Sequence, residues 1–78
     1  MAFQDVTATF TGAEAYVDVI WPTAYATFEF TQGIFATDGY GDIEVNVIPC
    51  PGFAMNQRLR VVPSAPFVGT VTLLAFQT

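Results

Sequence analysis

Oxygen ligands cluster most densely in the run Asp38-Gly39-Tyr40-Gly41-Asp42, with Glu44 two residues further on. Carboxylates set among glycines are the raw material of a calcium loop. The spacing here matches no Ca²⁺ loop motif, and Asp and Gly also serve tight turns for backbone reasons alone. The same run offers an alternative glycan contact, with Tyr40 as a stacking face and Asp38 and Asp42 beside it to bond sugar hydroxyls. A second acidic pair, Glu14 and Asp18, shares one strand face four residues apart. That separation is roughly 13 Å at ~3.3 Å per residue, wider than the ~5–9.5 Å between the carboxyl groups of glycoside hydrolases.

Other catalytic chemistry lacks its parts. The chain has no His and no Lys, and Ser64 is its only serine. Nucleophilic and general acid–base catalysis rely mostly on these side chains and on activated Cys. Cys50 is alone, in Pro49-Cys50-Pro51, so it forms no internal disulfide and reads as a buried or semi-buried structural thiol. Transition-metal sites lack both imidazole and paired thiolates. The sequence therefore assigns no catalytic, cofactor-binding or metal-ligating residue and expects no cofactor. Arg58 and Arg60, the only two cations, project from one strand face. They are solvated edge charges, or partners for acids such as Glu14, Asp18, Glu29 or Glu44 of a neighbouring copy, since charge complementarity sets register between subunits, or, as a third option, contacts to nucleic acid inside a particle, where two arginines neutralise only about two phosphates.

Composition narrows the class of partner. Seven acids against two arginines give a formal charge of −5, which opposes tracking along a phosphate backbone. Free nucleic acid is not an expected partner. No stretch approaches the ~20 apolar residues of a membrane helix, and the short start containing Asp5 does not resemble a basic secretory segment. A soluble, unexported protein with no membrane partner is the expectation. Yet 53% of residues are hydrophobic and 12% charged in a chain of 78. A domain this small buries only roughly 60–65% of the surface its unfolded chain exposes, so apolar side chains are left outside. With no disulfide and no metal to staple it, oligomerisation is the remaining route to stability.

These residues sit in a period-two pattern throughout, which predicts an all-β chain forming a single domain over residues 1–78. Residues 3–10 place Val6, Ala8 and Phe10 on one face. Residues 14–21 do the same with Ala15, Val17, Val19 and Trp21, and Pro22 ends the ladder. Residues 25–31 alternate Ala26, Phe28 and Phe30 against Tyr25, Thr27 and Glu29, closed by Gln32-Gly33, with 34–37 as a short continuation. Thr37 to Gly41 reads as a hairpin turn leading into residues 42–48, where Ile43, Val45 and Val47 point inward. Residues 49–56, with two prolines and a glycine, read as a loop crossing between sheets. Residues 57–62 set Leu59 and Val61 against Arg58 and Arg60. Residues 67–76 lose the alternation at Leu73-Leu74-Ala75-Phe76, as in a strand covered on both faces.

Six to seven short strands at this spacing predict a compact antiparallel β-sandwich or partly closed barrel. Trp21, Phe28, Val45, Leu59 and Val71 are the expected core. The apolar surplus collects in 49–55 and 73–76, so Phe35, Phe53, Met55, Leu74 and Phe76, with Arg58 and Arg60, are the candidate interface. Outward aromatics Phe3, Tyr16, Tyr25, Phe35 and Tyr40 suit either an interface or a sugar platform.

The segment Arg60-Val61-Val62-Pro63-Ser64-Ala65-Pro66-Phe67-Val68-Gly69-Thr70-Val71-Thr72-Leu73-Leu74 resembles the closing strands of small β-rich structural modules of tailed bacteriophages. The resemblance rests on a Pro/Ser turn, an aromatic, then Gly-Thr-Val and apolar alternation. It implies a capsid decoration or cement protein of the virion, bound to itself or to a viral coat protein, with no catalytic residues to carry over. A carbohydrate-binding or receptor-binding module of a tail or fibre is the alternative. Receptor-binding modules carry a long N-terminal attachment segment that these residues lack, so a small protein seated among capsid subunits is the expectation.

Overall fold

The computed structural model describes residues 2–38 and 43–78, apart from the side chains of Thr37 and Asp38. Its strands are β1 (Phe3–Thr11), β2 (Val17–Ile20), β3 (Phe28–Asp38), β4 (Val45–Pro49), β5 (Arg58–Pro63) and β6 (Val68–Gln77). They form two three-stranded antiparallel sheets, the first in the order β1-β6-β3 and the second β2-β5-β4. This is a small β-sandwich; neither sheet closes into a barrel.

The alternation in the sequence becomes the partition between core and surface. In β5 the odd positions Leu59 and Val61 are fully buried while Arg58 and Arg60 face outward. In β6, Val71, Leu73 and Ala75 are fully buried and the even positions are half-buried. Both strands are central in their sheets, yet the outer face of β6 is not covered by another layer: Leu74 and Phe76 are only half-buried there. Val6, Ala8 and Phe10 from β1, Val19 from β2 with Trp21 just after it, and Val45 and Val47 from β4 complete one cluster spanning both sheets. Burying a Leu or Phe side chain of this kind contributes about 1.5–3 kcal/mol, so the stripes, rather than strand propensity, hold the layers together. Of the expected core, Trp21, Val45, Leu59 and Val71 are buried, and Phe28 packs against them from the rim.

Four expectations about connections and faces are corrected. Strands β3 and β4 lie in different sheets, so the segment after Thr37 links sheets instead of closing a hairpin; its tip, residues 39–42, lies outside the described residues. Conversely, residues 50–57 do not cross over. They join β4 to its antiparallel neighbour β5, because two short turns reverse the chain. The Phe53 N–H donates to the Cys50 carbonyl at 3.0 Å, and the Gln57 and Arg58 N–H groups donate to the Ala54 carbonyl at 3.0 and 3.1 Å. Gly52, at φ 84°, supplies the left-handed conformation the first turn requires. Strand β3 also runs unbroken through Gln32-Gly33, whose residues pair with Leu73 and Thr72. Tyr25, expected outward, is buried at 8% exposure, because it lies in the connection before β3 and does not share that strand's alternation.

Side chains tie these connections to the sheets. Trp21 donates through Nε1 to the Met55 carbonyl at 3.1 Å, and Asn56 donates through Nδ2 to the Tyr25 carbonyl at 3.0 Å. Gln4 both donates to the Thr23 carbonyl and accepts from the Thr23 N–H, at 2.6 and 2.8 Å. Ser64, the lone serine, is structural: its hydroxyl accepts the Glu44 N–H at 3.0 Å, and its own N–H donates to the Glu44 carbonyl at 2.7 Å.

Candidate functional site

Two outward faces, on opposite sides of the sandwich, collect most of the candidate residues. On the first sheet, Phe76 is flanked across the ladder by Phe3 and Glu29, and Leu74 by Asp5 and Thr31. Further along, Thr72 lies between Thr7 and Gly33, and Thr70 between Thr9 and Phe35. Directly opposed residues of an antiparallel ladder share a face. This face therefore has an apolar end with a carboxylate on either side, a threonine centre in which Thr7 and Thr72 hydroxyls meet at 3.3 Å, and Phe35 at the far end. Phe3 is 70% and Phe35 67% exposed. Neither cation of the chain is here.

The second sheet turns outward the rows Asp18, Arg60, Ile48 and Ile20, Arg58. Arg60 binds Asp18 with both arms of its guanidinium, Nε to Oδ1 at 2.8 Å and Nη2 to Oδ2 at 3.2 Å, and lies 3.9 Å over the Tyr16 ring. Arg58 lies 4.0 Å over the Phe53 ring, which the turns after Cys50 hold against it. Both guanidiniums are thus plated on aromatics, where the negative face of the ring attracts the cation. Among the described residues the Asp18 and Arg60 pair is the only ion pair. Arg60 therefore finds its acid within the chain, which narrows the earlier expectation of an intermolecular partner to Arg58.

Of the candidate interface residues, Phe35, Leu74 and Phe76 lie on the first face, and Phe53, Arg58 and Arg60 on the second. Met55 is exposed in the β4–β5 loop. Sequence reasoning missed Ile20, at 59% exposure, and Ile48. Both were detectable, since each is out of phase with the inward valines of its own strand. The glycan candidates fall outside the described residues, apart from the Asp38 backbone. Asp38 pairs through its backbone with Val68, while Tyr40 and Asp42 lie outside the described residues. The calcium reading of the same run lies there too. Among the described residues no group of three or more His, Cys, Asp or Glu could hold a metal ion, and no helix is long and apolar enough to cross a membrane. Glu14 closes the turn after β1, its carboxylate accepting the Thr11 N–H and hydroxyl, both at 2.8 Å.

Electrostatics on the second face are local. The hydrogen bond from Arg60 holds the Asp18 carboxyl below its ordinary value of 3.8, aided by the Cys50 thiol and the Arg58 charge and opposed by desolvation. Cys50 is itself buried. Because the folded pKa is the lower one, this carboxylate contributes stability above pH 3.8 that is lost as pH falls through the folded value. Carboxyl ¹³C titration by NMR should give Asp18 a midpoint below 3.8, and Arg60→Gln should move it upward. An unchanged midpoint in the variant would show that Arg60 does not set it.

No family model, no curated protein and no solved structure matches this chain.

Proposed function

We propose that this chain is a non-enzymatic structural protein of a virion, most simply a capsid decoration or cement protein, which packs through its outward apolar faces against itself or a coat protein. The observation that carries this reading is the outer face of the first sheet. Phe3, Leu74, Phe76 and Phe35 lie along three hydrogen-bonded strands, and two of them are among the most exposed large side chains of the protein. Scattered surface apolar residues are ordinary, but a set ordered on one sheet face marks an interaction surface. The phage resemblance supports the reading from a second direction. Residues 60–74 supply the end of β5 and most of β6, the central strands of the two sheets, so the similarity falls on the structural frame.

The test is sedimentation velocity of the purified chain at micromolar concentration, alone and with a coat lattice. Oligomers, or co-sedimentation with the lattice, are the expected result. A dispersed monomer that ignores the lattice would overturn the reading. Glycan-array binding lost on Tyr40→Ala would overturn it in favour of a carbohydrate-binding module.

A further inference from the structure

We infer that the two outward faces dock on each other, the first-sheet face of one copy against the second-sheet face of the next, so that copies stack head to tail. This rests on the assembly reading above and names its partner surface. The chain's only cations, Arg58 and Arg60, are both on the second face, whereas the first face carries Asp5 and Glu29 and no cation.

Like-face pairing of the first sheet would bring two copies of Asp5 and Glu29 together around Leu74 and Phe76 with nothing to neutralise them. Like-face pairing of the second sheet would add a second Arg58 to a face where, among the described residues, Asp18 is engaged by Arg60 and Arg58 rests on the Phe53 ring without an ion pair of its own. Opposite-face pairing removes both conflicts. Like-charge juxtaposition suppresses wrong pairings strongly, so electrostatics selects the heterologous arrangement.

Apolar groups and size agree with it. Phe3, Leu74 and Phe76 on one side meet Ile20, Ile48 and Phe53 on the other, and sheets of this kind stack about 10 Å apart. The broad side of the body measures 35 by 26 Å, on the scale of the ~800 Å² per partner of a standard interface. A head-to-tail contact repeats until it closes a ring or extends as a filament.

The experiment uses two variants of the full chain. Phe3→Glu with Phe35→Glu disables the first face; Ile20→Glu with Arg58→Glu disables the second. Circular dichroism confirms that each folds, and sedimentation then reads mass. Each variant alone should be monomeric, and their equimolar mixture should form a species of twice the 8.5 kDa chain mass, because each retains the face the other lost. A second pair guards against a variant that fails to fold: Asp5→Arg and Arg58→Asp should each weaken assembly at least tenfold, and their combination in one chain should restore it. A homodimer of either single-face variant, a mixture that stays monomeric, or no restoration by the charge exchange would overturn head-to-tail stacking while leaving self-assembly standing. Wild-type protein that never assembles overturns the assembly reading itself.

Discussion

Gly69→Ala should lower the unfolding free energy by about 2–4 kcal/mol and the melting temperature by roughly 10–30 °C. Gly69 lies in the central strand β6 opposite Ala36, where the register of β3 shifts between Ala36 and Asp38. Its φ is +159°, and an added Cβ would overlap the Phe35 carbonyl oxygen and come within 2.8 Å of the Ala36 Cα. Both obstacles are backbone of the neighbouring strand, so no side-chain rotation relieves them. The ladder must open at the bulge or move as a whole. A domain of this size has about 4–12 kcal/mol of total stability, and the loss is a large share of it. Gly33→Ala is the control, because a Cβ there meets nothing within 4 Å and should be neutral or stabilising by up to about 1 kcal/mol. Thermal unfolding followed by circular dichroism compares the two. Equal melting temperatures for wild type and Gly69→Ala would refute the close approach.

What the sequence displayed was the facing of side chains, and what it concealed was pairing. Leu59 and Val61 against Arg58 and Arg60 could be sorted by parity alone, because a strand's side chains alternate whatever its neighbours are. The doubly apolar stretch at Leu73 to Phe76 suggested a strand covered on both faces, whereas only its odd positions are buried and Leu74 and Phe76 stay half-buried on the outer face. Connections were not legible, since turn residues describe the local path and not where the chain goes next. Pro49-Cys50-Pro51-Gly52 is irregular enough to suggest a crossing, yet its turns fold β4 back beside β5. The glycine-rich run after Thr37 has hairpin chemistry, yet it separates strands of different sheets. The candidate interface was half legible for the same reason. Phe53, Leu74 and Phe76 stood out as surplus, but their division between opposite faces depends on the sheet each strand joins. The Asp18 and Arg60 pair also needs the β2 and β5 register, which no spacing within either strand encodes.

That dependence on a few long-range junctions makes Phe67 the most sensitive side chain in the core. It lies in the connection from β5 to β6, which carries the chain from the centre of one sheet to the centre of the other. Its ring is 1% exposed and stacks on Phe10 of β1 with centroids 4.9 Å apart and planes at 26°. Phe67→Ala should cost about 3–5 kcal/mol through lost burial and the cavity left behind, a large share of the stability of a domain this size. Because so large a loss complicates an equilibrium measurement, the test rests on milder variants: Phe67→Leu and Phe10→Leu, singly and together, in urea unfolding. Each single change keeps most of the volume but removes the ring pair, so the double-mutant cycle should show a coupling of about 0.5–1.5 kcal/mol. Phe35→Leu, on the exposed outer face, should stay within about 0.5 kcal/mol of wild type. If Phe67→Leu were as harmless as Phe35→Leu, the crossing would not be anchored by this stack, and the two sheets would have to be held in register by their strand interiors alone.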